Sequence, residues 1–235
     1  MGFFGDMFAV FKKREITFVK SQQESRDVYS FIFNQADDIS WQGGQYSLFT
    51  ISHKKVKQPT KPFSISSSPT EGIVQITTRI GDHPSQYKQA LLELKPGMKI
   101  KMSGALGAFK LDESQPSLLI AGGIGVTPFR AMLKQLASQG TKPTAKLQLL
   151  YLDSSQSYLF TDELNALAKQ LSIEIQYLIT TDELNQSIDT FISTHRSNGQ
   201  FFIAGAKALV EDVSSYLQSQ NISKSSIKKD SFFGY

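Results

Sequence analysis

The chain has 235 residues, 40% apolar and 20% charged, with a formal net charge of +4, an ordinary globular composition for one large domain or two of about 110 residues. The absence of cysteine excludes a disulfide, a thiolate nucleophile and a cysteine-held iron–sulfur cluster within this sequence. No apolar run reaches the roughly 18 residues needed to span a bilayer, no basic-then-apolar leader opens the chain, and scattered basic residues argue against nucleic acid as a partner, so the cytoplasm is the expected compartment.

Residues 1–11 are rich in large apolar side chains: Phe3, Phe4, Met7, Phe8, Val10 and Phe11. They read as a segment that docks on a membrane or partner or, more simply, as a flexible end or one that folds back on the body. Asp6 stands where a myristoylation signal wants Ser or Thr. From Glu15 the pattern is short strands broken by turns. Ile16, Phe18 and Lys20 alternate with Thr17 and Val19. Further strands are expected at 28–33, 45–51, 73–78 and 99–103, with one helix at about 86–94 stopped by Pro96-Gly97. Five or six short strands and one helix predict a small antiparallel β-barrel over residues 12–113.

The character changes near residue 114. Leu118-Leu119-Ile120-Ala121 is a buried strand, followed by Gly122-Gly123-Ile124-Gly125-Val126-Thr127-Pro128. Thr127 is expected as a helix N-cap with Pro128 at the first helical position. Phe129, Met132, Leu133 and Leu136 then keep helical spacing up to Gly140. Strands at 147–152, 173–179, 200–204 and 226–229 alternate with helices at 162–171, capped by Thr161, at 185–193 and at 207–218. Alternation of this kind predicts an α/β domain over 114–235, a doubly wound parallel sheet with helices on both faces. The strand–glycine turn–helix unit aims backbone N–H groups and a positive helix end at phosphate. In such sheets ligands bind beyond the carboxyl ends of the strands, where both the 122–125 turn and Gly205-Ala206 fall.

These motifs, taken with Lys61-Pro62-Phe63-Ser64 in the first half, give the chain a resemblance to the ferredoxin–NADP(+) reductase superfamily of flavoenzymes that covers nearly its whole length. The resemblance implies a flavin-binding barrel followed by a domain for a nicotinamide nucleotide. Lys61-Pro62-Phe63-Ser64 is similar to the family's Arg-x-Tyr-Ser motif with two changes. Lys61 keeps the charge that meets the flavin pyrophosphate but loses the fork of Arg. Phe63 keeps a flat apolar surface without the hydroxyl, Ser64 is the residue that would hydrogen-bond flavin N5, and Ser67, at the end of the same motif, is implied as a cofactor-binding residue with Lys61, Pro62 and Phe63. Read without the family, the same residues are a Ser-rich surface turn after Pro62. Gly81-Asp82-His83-Pro84-Ser85 resembles the family's pyrophosphate turn, implying donors from Ser85 and Gln86 and shared charge from Arg79, with His83 a surface residue. Gly43-Gly44-Gln45-Tyr46 and Gly104-Ala105-Leu106-Gly107-Ala108-Phe109 resemble two further barrel motifs.

On the nucleotide side, Gly122, Gly123, Gly125, Thr127 and Pro128 match the family's nicotinamide pyrophosphate loop. Phe202-Ile203-Ala204-Gly205-Ala206 resembles its later Cys-Gly-Pro motif, with Ala204 and Ala206 replacing Cys and Pro. Asp153, after the second parallel strand, would accept from a ribose 2′-hydroxyl and repel a 2′-phosphate, which favours NADH over NADPH; it also reads as a plain loop residue. Tyr235, the last residue, would stack on the flavin and yield to nicotinamide, or belong to a tail packed through Phe232 and Phe233. The implied cofactors are FAD and NADH or NADPH, and FMN stays open. The implied activity is hydride transfer to flavin N5, with electrons leaving to a separate acceptor protein or small oxidant. The alternative is a regulatory or electron-transfer subunit that binds flavin or nucleotide without turnover.

Overall fold

A computed structural model describes residues 13–35, 38–140, 142–195 and 198–232. Tyr235, Phe233 and the apolar 1–11 segment lie outside the described residues. The chain divides into two compact units. The first runs to Lys110 and also takes Arg130–Gln135; the second holds Leu111–Phe129 and resumes at Leu136.

The first unit is built on a six-stranded sheet of β1 (Arg14–Ser25), β2 (Val28–Asn34), β3 (Tyr46–Thr50), β4 (Thr60–Ser64), β5 (Ile73–Arg79) and β6 (Lys99–Met102). The order is β4-β3-β6-β1-β2-β5, and every pairing is antiparallel. Ile16 and Phe18 of β1 turn inward with Phe31, Phe33, Phe49, Ile76 and Ile100, all at most 3% exposed. Phe18 and Phe33 meet edge to face at 5.6 Å. Burial of side chains this size contributes roughly 1.5–3 kcal/mol each. The β1–β2 register shifts between Phe18 and Lys20, and Val19, on the face opposite Phe18, is left exposed despite its apolar side chain.

The unexpected strand is β4. Pro62 pairs with Leu48 in it, which is possible because β4 is at the end of the sheet order and the missing proline N–H costs no ladder bond there. Helix α1 (Gln86–Leu92) buries Tyr87, Ala90 and Leu91. The buried Tyr87 hydroxyl donates to the Phe49 carbonyl at 3.1 Å.

The second unit is a five-stranded parallel sheet of β7 (Ser117–Gly122), β8 (Leu147–Leu152), β9 (Glu174–Leu178), β10 (Gln200–Ala206) and β11 (Ile227–Phe232). Its order is β11-β10-β7-β8-β9, so the chain winds outward from β7 in one direction and then reverses. Between its strands lie α2 (Val126–Ser138), α3 (Thr161–Leu171), α4 (Thr181–His195) and α5 (Lys207–Ser219). Leu118, Ile120, Leu150 and Ile203 cluster with Leu184 and Ile188 of α4 and Val210, Val213 and Leu217 of α5. The alternate residues Leu119, Leu149, Tyr151 and Phe202 are equally buried, so both faces of the sheet are covered, as a parallel sheet requires.

Two expected caps move. A 3-10 turn over Gly123–Gly125 precedes α2, which makes Thr127 the second helical residue and Pro128 the third. Thr161 is the first residue of α3 rather than its cap. Phe160 precedes it in the left-handed region at φ 59°, and the Thr161 hydroxyl turns back to the Tyr158 carbonyl. Gly140, at φ 72°, follows α2 as expected.

Candidate functional site

Two sets of residues, one in each unit, carry the chemistry read from the sequence. In the first unit β4 delivers Ser64 at its end, opposite Tyr46 of β3. Tyr46 lies over Gly107, where a Cβ would come within 3.2 Å of the ring and the φ of 94° is one that side-chain-bearing residues rarely adopt. Phe63 is half-buried and already has aromatic partners. It stacks on Tyr87 at 5.7 Å and 29°, and meets Phe49 edge to face at 6.1 Å. Lys61 is half-exposed, and its ammonium donates to Gln58 Oε1 at 2.5 Å.

Beyond Ser64 the chain is not a surface turn. Ser66, Ser67 and Ser68 are fully buried. The Ser67 hydroxyl donates to the Ile73 carbonyl at 2.8 Å and accepts from the Gln75 N–H at 2.9 Å, while the Trp41 indole N–H donates to the Ser67 carbonyl. That hydroxyl serves the barrel. Ser68 and Glu71 form a capping box around a 3-10 turn, with the Ser68 N–H donating to Glu71 Oε2 at 2.6 Å.

Gly81, Asp82, His83, Ser85 and Gln86 are exposed, Pro84 is half-buried, and a Cβ on Gly81 would meet nothing within 4 Å. Ser85 caps α1 by accepting from the Lys88 N–H at 3.4 Å, and Gln86 Oε1 accepts from the Lys57 N–H at 3.2 Å. Arg79 pairs with Asp27 at 2.7 Å. Sequence reasoning missed Lys88. Partial burial, and then the charge of Arg79, hold its ammonium below the usual lysine range. Two cations that oppose each other in this way favour a nearby anion. The signal was available as the helical offset of Lys88 from Ser85, but one lysine on a short helix is not distinctive.

In the second unit the glycine turn sits at the carboxyl end of β7, and Gly205 near that of β10. These strands are neighbours, and the order reverses between them, which is where doubly wound sheets bind ligands. The turn and the strand end touch directly. A Cβ on Gly125 would lie 2.1 Å from the Ala204 carbonyl oxygen, and one on Gly122 2.0 Å from Leu209 Cδ2. Gly205 has φ 153°, and its Cβ would be 3.0 Å from the Gly122 oxygen. Gly125 and Gly205 let two backbones approach, and Gly122 makes room for the Leu209 side chain. Gly123 differs: it has φ 52°, and its nearest neighbour would be Asp153 Oδ2 at 3.9 Å. It is the glycine of the turn with open space before it, so a phosphate could approach its backbone there. Thr127 is buried at 2% exposure, and Ala206 is exposed at the start of α5.

Asp153 is partly spent on its own loop. Its Oδ1 accepts from the Ser155 N–H at 2.9 Å and the Ser155 hydroxyl at 2.6 Å, while Oδ2 is the oxygen nearest Gly123. Tyr151, Tyr158 and Tyr177 stand edge to face or tilted at 5.0–6.1 Å beside it. Partial burial, then Asp153 and Glu183, raise the pKa of the Tyr158 phenol, so two carboxylates face this corner. Among the described residues no group of His, Asp and Glu could hold a metal ion, and no helix is long and apolar enough to cross a membrane.

Residues 119–215 match the family model of the oxidoreductase NAD-binding domain. The chain is 27% identical over 230 residues to the toluate 1,2-dioxygenase electron transfer component of Pseudomonas putida, covering 92% of this chain and 66% of that protein. It therefore spans just under two thirds of the length of that relative. By fold it is similar to ferredoxin–NADP+ reductase from Plasmodium falciparum, with a TM-score of 0.81 at 18% identity over 97% of this chain and 99% of the other. It is also similar to the flavohem-like FAD/NAD binding domain of nitric oxide dioxygenase from Vibrio cholerae, with a TM-score of 0.75 at 22% identity over 93% and 98%. An antiparallel barrel-like unit, then a parallel unit with its glycine turn at the switch point, is thus a fold this chain shares with ferredoxin–NADP+ reductase, and residues 119–215 of the second unit match an oxidoreductase NAD-binding domain.

Proposed function

We propose that the chain is a flavin-dependent NAD(P)H oxidoreductase that passes electrons to a separate acceptor. The observation that carries this reading is the meeting of the Gly122–Gly125 turn with Gly205 at the switch point, with Gly123 left open. A nicotinamide dinucleotide would place its pyrophosphate at that turn. In the first unit, Ser64 at the end of β4 is the hydroxyl for flavin N5. Lys88 in the first turn of α1, with Arg79 close enough to oppose its charge although paired with Asp27, supplies positive charge there. A diphosphate suits that charge, so FAD is favoured over FMN, which has none. When bound, the flavin would accept a hydride from nicotinamide C4 at N5 and release the two electrons one at a time. The protein's task is alignment: the glycine turn anchors the dinucleotide and Ser64 holds N5, since hydride transfer needs geometry more than an acid–base pair.

The coenzyme is NADH on this reading. Asp153 and Glu183 set negative potential at the corner where a 2′-phosphate would lie, and Asp153 Oδ2 suits a 2′-hydroxyl. The toluate relative is described as an electron transfer component, and by that likeness the acceptor is a separate redox protein or a small oxidant.

The test is reconstitution of the flavin-free protein with FAD or FMN, read by fluorescence quenching. Tighter binding of FAD, weakened in Lys88→Ala and Arg79→Ala, supports the reading. Equal affinity for FAD and FMN sinks the diphosphate assignment, and binding of neither sinks the flavin reading.

A further inference from the structure

Arg130, in α2, belongs to the first unit, and nothing in the family motifs assigns it a task. It is 6% exposed, a rare state for a guanidinium unless its charge is matched. Nη1 donates to the Ser66 carbonyl at 2.6 Å and lies 3.1 Å from Glu71 Oε2, while Nη2 lies 3.0 Å from Glu71 Oε1. The fork therefore closes on a carboxylate and a backbone oxygen together, a geometry a lysine cannot copy. Lys134 adds charge 3.5 Å from Glu71 Oε1. Glu71 in turn holds the Ser68 N–H. Ser66 is fixed from the other side as well: its N–H and its hydroxyl both donate to the Gln75 carbonyl, and the hydroxyl lies 3.0 Å from Thr77 Oγ1. That chain continues through Thr77 Oγ1 to Ser30 Oγ at 2.8 Å.

Ser64 stands two residues before Ser66, and Ile65 between them is completely buried. The Ile65 N–H is held by the Gln45 carbonyl at 3.0 Å. Ser64 is thus followed directly by backbone held at the Ile65 N–H, the Ser66 N–H and the Ser66 carbonyl, the last by the charged Arg130. A structural ion pair needs only the carboxylate, whereas this one spends a guanidinium N–H on the peptide of the flavin segment.

We propose that Arg130 is a positioning residue for flavin binding: with Glu71 it fixes the Ser66 peptide and so presents Ser64 to the flavin ring. This rests on the flavin reading of Ser64 given above.

The test separates positioning from mere stability. Arg130→Met leaves the partly buried Glu71 with only Lys134 to match its charge, so loss of fold alone would explain its defects. Arg130→Met/Glu71→Gln removes both charges, and the Gln can still accept from the Ser68 N–H. Apoprotein melting temperature, FAD dissociation constant and the midpoint potential of bound FAD are measured for wild type, this double variant and Arg130→Lys. The double variant is expected to melt near wild type, to bind FAD about tenfold or more weakly, and to shift the potential. Arg130→Lys is expected between the two. Wild-type affinity and potential in the double variant and in Arg130→Lys would overturn the proposal, whatever their melting temperatures. If the double variant does not fold, Arg130→Lys decides by the same readings. Failure of the wild-type protein to bind FAD would overturn the flavin reading itself, and the proposal with it.

Discussion

The 64–68 segment of the barrel and the 122–125 turn of the parallel sheet are held in opposite ways. Side chains hold the first: three buried serines, a tryptophan N–H, a carboxylate and a guanidinium bind its peptides or brace them against β5. Their absence holds the second, because Gly122 and Gly125 lie where any Cβ would strike Leu209 or the Ala204 backbone. A polar network fails when one partner is removed and another is left charged and buried. A close backbone contact fails when a single carbon is added. The two segments should therefore respond to different substitutions, and each comparison below asks whether they do.

The largest effect is expected in the network. Arg130→Met should cost about 3 kcal/mol or more in urea unfolding, because Glu71 loses its bidentate partner in a site with little solvent and keeps only Lys134 at 3.5 Å. In the turn, Gly125→Ala should cost about 3 kcal/mol by the same measurement, since backbone at 2.1 Å cannot move aside as a side chain can. Gly122→Ala meets only the end of Leu209, so pairing it with Leu209→Ala should recover most of its loss. Recovery of Gly125→Ala by that same partner would break the distinction.

The network also carries a pH signature that the turn lacks. Burial alone would raise the Glu71 carboxyl, but the Arg130 hydrogen bond and charge, the Ser68 N–H and Lys134 outweigh it and hold the carboxyl below its ordinary 4.5. A depressed carboxylate contributes stability that is present above 4.5 and lost as pH falls through the folded value. Thermal midpoints measured downward from pH 5 should therefore fall more steeply for wild type than for Glu71→Gln. Parallel curves would remove Glu71 from the account.

Smaller effects sharpen the turn. Gly123→Ala should cost only about 1–2 kcal/mol for its positive φ, yet weaken nucleotide binding disproportionately, since its open face is the proposed phosphate approach. Asp153→Asn should move the NADPH-to-NADH ratio of kcat/KM by about fivefold toward NADPH, the size of one screened charge repulsion of about 1 kcal/mol. An unchanged ratio would make Asp153 the loop residue its Ser155 contacts also fit.

The same contrast explains what could be read in advance. The glycine turn was legible because its requirement is local: an apolar strand, glycines and a helical pattern lie together in the chain. The alternation that announced the parallel sheet has the same virtue, and so does Gly140 after α2. Strand β4 was hidden because Pro62 argues against a strand unless the strand is known to lie at an edge. The caps of α2 and α3 were misplaced because the 3-10 turn at 123–125 and the left-handed Phe160 shift each helix start by tertiary demand. Arg130 was invisible because Glu71 and Ser66 are 59 and 64 positions away, and nothing in a helical stripe distinguishes a buried guanidinium from a solvated one. Lys88 was missed for a related reason: its environment is set first by burial and then by the charge of Arg79 on β5, neither of which a short helical pattern reveals.

The central claim is that this chain moves a hydride from a nicotinamide to a flavin it binds. The most direct test follows the visible spectrum of the FAD-reconstituted protein anaerobically as NADH and, separately, NADPH is added. Bleaching of the flavin band within seconds, faster with NADH, is the predicted result. A flavin-loaded protein that neither coenzyme bleaches would contradict the claim and leave a subunit that binds flavin without turnover.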